Sequence, residues 1–437
     1  MAEELRIGIA GLGTVGASVV QILRRRAASL EKSCGRRLTV AAVSARDRNR
    51  DRGLDLDGVA WFDDPVELAA SADIDMFVEV IGGEEGPART AVEKAIGRGL
   101  AVVTANKALL AKHGMSLGKL AEETGAPLGY EAAVAGGIPV IKTLREALAG
   151  NEIKRVYGIL NGTCNYILSQ MEQEGLAFET CLAEAQRLGY AEADPTFDIG
   201  GFDVAHKLTI IAALAFGVEV NAESVHVEGI EAISLEDLKA ADELGYRIKL
   251  LGVAQRTAKG VEQRVHPTMV PKDSSIAQVM GVTNAVTIDA DAVGELTLIG
   301  PGAGGEATAS AVLGDIADLA KGNRNNAFGL PAFEFTATVA PAIQEHEGGY
   351  YVRLSLQDRP GAAAAIAARL AENNISLESI VQKGPRDERG KIGQGKPVPV
   401  VLLTYATSEA RIRQSLQTAV GDGYITGKPQ VIRIERE

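Results

Sequence analysis

The sequence contains little cysteine, few aromatic residues and no long hydrophobic run. Its three cysteines, Cys34, Cys164 and Cys181, form no CxxC pair, which excludes a disulfide framework and a cysteine-based zinc signature. The most apolar run, around Leu208 to Val218, is too short to cross a bilayer. The N-terminal segment lacks the basic and apolar regions of a signal peptide, so we expect a cytoplasmic protein.

Positive charge is also scarce. Lysine and arginine total 45 against 57 aspartate and glutamate residues, a formal net charge of −12. A chain this acidic binds nucleic acid and anionic membranes poorly, so we expect neither as a partner. Hydrophobic residues make up 46% of the chain and charged residues 23%. These are ordinary values for a globular protein and exclude wholesale disorder.

The order of apolar segments predicts three units along 437 residues, close to the roughly 150 residues of an average domain. In residues 1–135, short apolar runs alternate with helical patterns, which is typical of a doubly wound, Rossmann-type parallel sheet. Residues 136–330 mix helices and strands without strict alternation and predict a central α+β domain. Residues 348–437 show a βαββαβ pattern. The expected fold class is therefore α/β.

Two local expectations rest on proline and glycine. Pro139 suits the first turn of a helix, which we predict to run to Leu148. The polar, Gly/Pro-rich stretch from Gly384 to Pro399 predicts a mobile loop.

The motif GLGTVG follows the first predicted strand and opens the first predicted helix. In this context Gly11 makes a tight turn, Gly13 lets backbone amides approach a pyrophosphate, and Gly16 lets helix and strand pack closely. Thr14 and Val15 stand at the positive helix N-terminus, where phosphates bind. The motif predicts a nicotinamide dinucleotide site, and a glycine-rich turn without a ligand is the alternative.

The end of the second strand bears on which nucleotide is bound. An NAD site usually carries an acidic residue there to hold the ribose hydroxyls, but this strand ends Val43-Ser44-Ala45-Arg46. An arginine suits a 2′-phosphate, so Arg46 favours NADP(H) over NAD(H). Two alternatives stay open: Arg46 and the basic residues after it form a solvated loop, or Asp47 reaches the ribose.

Charged residues gather where a strand ends and where a buried helix begins. Lys107 follows the strand that ends at Thr104, at the sheet edge where ligands bind. Asp203 and Lys207 are four residues apart on a helix and share one face. Such a face suits acid–base chemistry and recognition of an ammonium group. The plainer alternative is a surface lysine and a structural salt bridge at a helix start.

The loop before that helix, GYAEADPTFDIGG, adds Glu192 and Asp198 as candidates. We expect His206 to pack or bond locally rather than to act in catalysis.

Two other loops are candidates for ligand contact. Asn161, Gly162 and Thr163 end a strand and begin a helix, so they could cap that helix or bind a small anion such as a carboxylate. Cys164 has no nearby histidine in the sequence, and we do not expect it to be a nucleophile. The loop GPGAGG, which contains Gly302, either covers the cofactor or forms a tight turn.

Together these motifs resemble the homoserine dehydrogenase family. The resemblance runs from about residue 5 to 330 and is carried, in order, by IAGLGTVG, TANKALLA, EAAVAGGIP, GILNGTCNYIL, LGYAEADPTFDIGGFDVAHKL and GPGAGG. The C-terminal segment LQDRPGAAAAIAARLAENNIS is similar to an ACT domain, a βαββαβ amino-acid sensor. The arrangement resembles the monofunctional bacterial enzyme.

The resemblance implies reduction of the small molecule L-aspartate 4-semialdehyde to L-homoserine by NAD(P)H, on the way to threonine and methionine. It assigns Lys107 and Lys207 to the chemistry, with Lys207 as proton donor to the aldehyde oxygen. Glu192 and Asp203 would bind the substrate amino group or hold Lys207. The other implied pocket residues are Asp198, Gly162 and Thr163. The implied cofactor contacts are Gly11, Gly13, Thr14, Val15, Gly16, Arg46, Thr104, Lys107 and Gly302.

The resemblance also implies a monovalent cation site for Na⁺ or K⁺. Its ligands would be the Glu131 carboxylate and the backbone carbonyls of Val134, Gly136 and Ile138. Oxygen ligands of this kind suit a hard cation. The cation would order the junction between the first two domains and take no part in the chemistry.

In the ACT-like segment, Asp358, Arg359 and Gly361 match an effector-binding turn. Feedback inhibition by L-threonine is implied, and an assembly domain without a ligand is the alternative. The resemblance further implies a homodimer or homotetramer. The alternative from another functional class is a non-catalytic sensor that binds a nucleotide and an amino acid. That alternative predicts degenerate catalytic positions, whereas all four charged candidates are present: Lys107, Glu192, Asp203 and Lys207.

Overall fold

The computed structural model describes residues 3–338, 342–357, 359–382 and 397–435. The strands of the first unit are β1 (Glu4–Ala10), β2 (Arg37–Ser44), β3 (Ala60–Phe62), β4 (Met76–Glu79), β5 (Ala101–Thr104) and β6 (Leu128–Gly129). Its helices are α1 (Thr14–Arg25), α2 (Ala27–Cys34), α3 (Pro65–Ser71), α4 (Pro87–Gly97) and α5 (Lys107–Thr124). The strands form one parallel sheet in the order β3-β2-β1-β4-β5-β6. The predicted parallel sheet is confirmed.

The central unit is built around an antiparallel sheet. Its strands are β7 (Ile153–Ile159), β8 (His226–Val227), β9 (Tyr246–Thr257), β10 (Gly260–Pro271), β11 (Thr283–Ala290) and β12 (Gly294–Pro301). Its helices are α6 (Val140–Lys142), α7 (Gly162–Glu174), α8 (Phe178–Arg187), α9 (Thr196–Ile199), α10 (Phe202–Phe216), α11 (Leu235–Glu243) and α12 (Gly305–Ala320). The antiparallel order is β12-β11-β7-β9-β10. The apolar helix α10 is buried along most of its length against β9 and β10.

The parallel sheet is buried on both faces. On β4, Met76 and Val78 enter one core together with residues of α1 and α12, and Phe77 enters the other core together with residues of α3 and α4. This explains why the parallel strands read as nearly continuous apolar runs. Helix α12 therefore returns from the central unit to close one face of the first sheet.

The helix predicted from Pro139 to Leu148 is only partly correct. α6 covers three residues, and residues 143–147 then form a π-helix, in which Leu148 N donates to Thr143 O at 2.9 Å. A π turn widens the helix locally, and the apolar pattern of the sequence does not distinguish it from an α turn.

The C-terminal unit has the predicted βαββαβ order. Its elements are β13 (Glu347–Gln357), α13 (Ala362–Glu372), β14 (Leu377–Gln382), β15 (Pro397–Thr404), the short β16 (Thr407–Ser408), α14 (Glu409–Gly421) and β17 (Gln430–Ile434). Of the predicted loop at 384–399, residues 384–396 lie outside the described residues, and Pro397 to Pro399 belong to β15. Asp358 also lies outside the described residues.

The C-terminal and central sheets are continuous. β17 pairs in parallel with β10, with Thr268 opposite Arg433 and Met269 opposite Ile434, so both units share one 11-stranded sheet. Across this junction, Arg353 on β13 donates to Asp237 on α11 at 2.7 Å. Within the described ranges, no helix combines the length and apolar character needed to cross a membrane.

Candidate functional site

The glycine motif forms an open cradle before α1. Gly11 has a φ of +105°, and a Cβ there would lie 2.7 Å from Val80 O. A Cβ at Gly16 would lie 1.9 Å from Gly11 O, whereas Gly13 has open space around its Cβ position. Gly11 and Gly16 are therefore required for close backbone packing, and Gly13 leaves the N-terminus of α1 accessible to a phosphate.

Basic residues line the same cleft, which has a volume of about 360 Å³. Its lining includes Gly11, Gly13, Ser44, Arg46, Arg50, Arg52 and the acidic Asp63. Asp47 Oδ1 accepts a hydrogen bond from Asn49 N at 2.9 Å, so this carboxylate is used in a local turn. Arg52 Nε donates to Leu12 O at 3.1 Å, which ties the basic loop to the glycine cradle. Arg50 and Arg52 were missed as site residues. The sequence shows their charge, but it does not show that their loop folds back onto the cleft.

A buried carboxylate organises the carboxyl ends of β4 and β5. Glu79 is fully buried and accepts from Thr104 Oγ1 at 2.5 Å and from Ile81 N at 2.7 Å. Thr104 Oγ1 in turn accepts from Asn106 N at 3.0 Å, and Asn106 Oδ1 caps α5. This chain of hydrogen bonds places Lys107, the first residue of α5, at the sheet edge. Glu79 lies in none of the motifs quoted from the sequence, and Asn106 lies within TANKALLA but was not singled out as a candidate.

Lys107 and Lys207 converge on one carboxylate. Lys107 Nζ lies 2.7 Å from Asp203 Oδ1, and Lys207 Nζ lies 2.7 Å from Asp203 Oδ2. Lys207 Nζ also donates to Leu160 O at 2.7 Å. The side chain of Lys107 is 36% exposed, whereas that of Lys207 is 11% exposed. The two predicted lysines therefore meet although they lie on helices of different units.

Asn161 joins the second carboxylate to this cluster. Its Nδ2 donates to Asp203 Oδ2 and to Asp198 Oδ1, each at 2.9 Å, and its Oδ1 accepts from Cys164 N at 2.8 Å as the N-cap of α7. Asn161 therefore fixes the start of α7 relative to both carboxylates. Of the two alternatives for this segment, helix capping is confirmed for Asn161, and its bridging role was missed.

The buried groups of the cluster shift each other's pKa values. Burial acts to raise the pKa of Asp203, but the charges of Lys207 and Lys107 outweigh it and hold that pKa well below its usual range. Burial lowers the pKa of Lys207, and Asp203 opposes this effect. Burial and the charge of Asp203 raise the pKa of Asp198. An ionised carboxylate thus keeps two ammonium groups in place, while Lys207 gives up its proton more readily than an exposed lysine.

The cysteine beside the cluster is not built as a nucleophile. Cys164 is fully buried, and its Sγ donates to Asp198 O at 3.2 Å. Burial raises the pKa of the thiol, so it stays protonated and inert.

The other predicted pocket residues are spread around this cluster. Gly162 is the first residue of α7, and Thr163 Oγ1 donates to Tyr190 O at 2.6 Å. Glu192 is exposed on its loop, and among the described residues no ion pair joins it to either lysine. His206 lies edge-on against Phe197, with ring centroids 5.3 Å apart.

The second glycine-rich loop packs between the units. A Cβ at Gly302 would lie 2.0 Å from the side-chain amide of Asn284, and a Cβ at Gly136 would lie 2.3 Å from Gly302 O. Gly305 lies against Thr14 on α1 in the same way, at 2.8 Å. The loop therefore contacts both the start of α1 and the loop that contains Gly136.

Two buried carboxylates lie at the junction of the first two units. Glu131 is 2% exposed, and its oxygens accept from Ile141 N at 2.7 Å and Lys142 N at 2.9 Å. Asp315 accepts from Glu131 N at 2.8 Å. Burial raises the pKa of Glu131 to about 7 and that of Asp315 to about 6. This environment favours a neutral acid or a bound cation.

A glycine cradle at the start of a parallel sheet, with a Lys–Asp–Lys cluster at its carboxyl edge, defines an NAD(P)-dependent oxidoreductase. Three family models match the chain: the NAD-binding domain of homoserine dehydrogenase over residues 11–131, homoserine dehydrogenase over residues 139–317, and the ACT domain over residues 350–417. The chain belongs to the homoserine dehydrogenase family.

Curated relatives and solved structures of this family match the chain along nearly its full length. Homoserine dehydrogenase from Neisseria gonorrhoeae is 45% identical over 95% of this chain and 94% of its own length. The Pseudomonas aeruginosa enzyme is 43% identical over 99% of both chains. The crystal structure of a homoserine dehydrogenase from Thiobacillus denitrificans superposes with a TM-score of 0.92, at 41% identity over 99% of this chain and 98% of that one.

Proposed function

We propose that this homoserine dehydrogenase uses NADP(H) in preference to NAD(H) and interconverts L-aspartate 4-semialdehyde and L-homoserine on the Lys107–Asp203–Lys207 cluster. The observation that carries the proposal is the convergence of both lysines on Asp203 at 2.7 Å. The cluster lies at the carboxyl edge of the sheet, where open α/β folds bind their ligands.

In the reductive direction, a dinucleotide held at the glycine cradle of Gly11, Gly13 and Gly16 would supply the hydride for the aldehyde carbon. The Lys207 ammonium donates a proton to the aldehyde oxygen as negative charge develops there. Asp203 keeps both lysines oriented, and the second ammonium, on Lys107, stabilises the developing alkoxide. In the reverse reaction neutral Lys207 accepts the hydroxyl proton, and its lowered pKa favours that step.

We assign recognition of the amino-acid end of the substrate to the residues around the start of α7. Gly162 and Thr163 present the helix N-terminus to the carboxylate, and Asp198 and Glu192 attract the ammonium group. Glu192 is exposed, so this role requires its loop to approach the bound substrate.

The cofactor preference rests on the basic end of the cleft. Arg46 and Arg50 line it, and Asp47 is engaged in its own turn. An acidic residue, Asp63, also lines the cleft, but its Oδ1 accepts a hydrogen bond from Trp61 Nε1 at 2.9 Å, and the arginines outnumber it. We expect Arg46→Ala to lower kcat/KM for NADPH about 10- to 100-fold, the loss typical of a charged hydrogen bond, and to leave kcat/KM for NADH nearly unchanged.

Arg48 provides the matched control for that variant. It lies over the Trp61 ring at 5.9 Å and is not among the residues that line the cleft. Arg48→Ala should therefore leave the ratio of the two cofactors unchanged. Equal losses with NADPH and NADH in Arg46→Ala would contradict the proposed preference.

The residues around Glu131 fit a monovalent cation. A buried carboxylate with a raised pKa would be relieved by a positive charge, and the carbonyls of Val134, Gly136 and Ile138 belong to the same buried loop. We propose that Na⁺ or K⁺ binds there and orders the contact between the first two units. The cation takes no part in proton or hydride transfer.

We propose that the ACT domain binds L-threonine as a feedback inhibitor. The turn with Arg359 and Gly361 precedes α13, and Gly361 has a φ of +90°, which leaves the helix N-terminus open.

The domain limits that we propose are residues 1–135, 136–330 and 348–437. The assembly that we propose is a homodimer or a homotetramer.

The test of the whole proposal is an assay of NADPH oxidation with L-aspartate 4-semialdehyde, repeated with NADH and with L-threonine. Turnover that prefers NADPH and falls with threonine is the expected result. Turnover unaffected by threonine would reject the effector but keep the catalytic assignment. If folded protein supplied with K⁺ shows no turnover with either cofactor, the assignment of L-aspartate 4-semialdehyde as the substrate is wrong.

A further inference from the structure

A buried lysine outside the catalytic cluster has no carboxylate partner among the described residues. Lys249, on β9, is 1% exposed. Its Nζ donates to Asn165 Oδ1 at 3.0 Å, to Val279 O at 2.6 Å and to Met280 Sδ at 3.3 Å. These three acceptors match the three donors of an ammonium group. Burying a charge among neutral groups is costly. The burial of Lys249 therefore needs an explanation, which its contacts provide.

The contacts of Lys249 converge on the turn formed by residues 279–283. Asn165 Nδ2 also donates to three carbonyl oxygens of this turn, at 3.2, 2.9 and 3.2 Å, on Val279, Gly281 and Thr283. Ser169 Oγ accepts from Gly281 N at 3.1 Å. Three buried side chains, two of them on α7, therefore fix the turn that leads into β11, whose first residue is Thr283.

The turn lies directly against the start of α7. A Cβ at Gly162 would be 2.7 Å from Val282 O, so the two backbones are in contact. The preceding residue, Asn161, bonds to both Asp198 and Asp203. A shift of the turn would therefore move Gly162 and disturb the carboxylates beside it.

We infer that Lys249 is a positioning residue, which holds the turn 279–283 against the N-terminus of α7 and thereby sets the affinity for the amino-acid end of the substrate. It acts through Asn165 and the turn, and it does not touch the reacting atoms. The inference rests on the proposed placement of the substrate at Gly162 and Thr163.

Burial and a charged neighbour make the hold of Lys249 on the turn sensitive to pH. The groups that act on Lys249 are Arg247 on the same strand and Glu172 on α7, and these two bond to each other at 2.7 Å. Burial, followed by the charge of Arg247, lowers the pKa of Lys249 to about 7. Above that pH the neutral amine has two donors for three acceptors, so the turn is held less firmly.

The experiment compares Lys249→Met with Lys154→Met, which removes an exposed lysine from the adjacent strand β7. In Lys249→Met we expect the KM for L-aspartate 4-semialdehyde to rise about tenfold, with kcat and the Kd for NADPH changed less than about twofold. The KM of the parent enzyme should rise as the pH passes through about 7, and this rise should be absent from Lys249→Met. Lys154→Met should match the parent.

Ser169→Ala is a milder change that removes the anchor of Gly281, and it decides the question if Lys249→Met does not fold. It should raise the same KM about two- to threefold. Unchanged KM values in folded protein, judged by NADPH binding, would overturn the inference, as would a loss of stability alone.

Thr163→Val separates this inference from the proposed substrate pocket. If Thr163→Val leaves the KM unchanged, the pocket is placed wrongly. If it raises the KM while Lys249→Met and Ser169→Ala do not, the pocket stands and the role of Lys249 is refuted.

Discussion

The Lys107–Asp203–Lys207 cluster and the junction with the C-terminal unit bury charge in different ways. In the cluster two lysines share the single carboxylate of Asp203, and the side chain of Lys107 remains 36% exposed. At the junction a buried arginine lies between two carboxylates, with N–O distances of 2.7 to 3.0 Å; the residues are Arg433, Glu228 and Glu409.

The difference fits the separate roles that we propose for the two places, proton transfer in the cluster and stability at the junction. Arg433 cannot lose its proton under ordinary conditions. Burial acts to raise the pKa of Glu228, but hydrogen bonds from His226 and Arg433 hold that pKa well below its usual range. Arg433 and Glu228 therefore both stay charged at neutral pH. In the cluster, burial lowers the pKa of Lys207, as the proposed proton transfer requires.

The largest expected effect is on activity. Lys207→Met removes the proposed proton donor, and we expect kcat to fall about 10²- to 10⁴-fold. Asp203 keeps Lys107 as a partner, so the fold and NADPH binding should persist. Steady-state kinetics and thermal unfolding of the same preparation check both statements. A variant that retains turnover would show that another group supplies the proton.

At the junction the corresponding change should affect stability and spare catalysis. Arg433→Met leaves Glu228 and Glu409 without their shared buried partner, which costs about 3 to 5 kcal/mol of unfolding free energy. Arg413→Met is the control, because Arg413 bonds to Glu409 but is 51% exposed, and an exposed pair contributes at most about 1 kcal/mol. Denaturant unfolding distinguishes the two variants, and equal effects would contradict the comparison.

A smaller effect is expected at Glu131, where a buried carboxylate has no side-chain cation of its own within the described residues. Its pKa is raised to about 7 in the folded protein, against roughly 4.3 unfolded. Its contribution to stability is therefore present at low pH and is lost as the pH rises from about 4 through 7. Added K⁺ should restore stability more at pH 8 than at pH 5, and unfolding curves with K⁺ and with a large organic cation test this. Glu131→Gln should remove the difference.

Local features of the sequence predicted a good part of the site. Gly11, Gly13 and Gly16 were identified from their spacing, and the contact at Gly16 is local, since its Cβ would lie 1.9 Å from Gly11 O. Asp203 and Lys207 were paired from their i,i+4 spacing, and the structure shows that bond at 2.7 Å. Asn161 was recognised as a possible cap because capping also depends on adjacent residues.

Residues that act across long chain separations were not recognised. Glu79 anchors Thr104 from 25 residues away, and Lys249 reaches Asn165 across 84 residues. Neither residue is part of a motif: Glu79 is the last residue of the apolar strand β4, and Lys249 follows Arg247 by two positions in β9.

The sequence by itself therefore determined the elements, their order and the short-range geometry of the glycine turns and helix starts. The tertiary structure alone decided that Lys107 meets Asp203, that the basic loop folds back onto the cofactor cleft, and that β17 joins β10. The physical reason is that these contacts depend on how whole elements pack and which strands pair, and no local pattern specifies that choice.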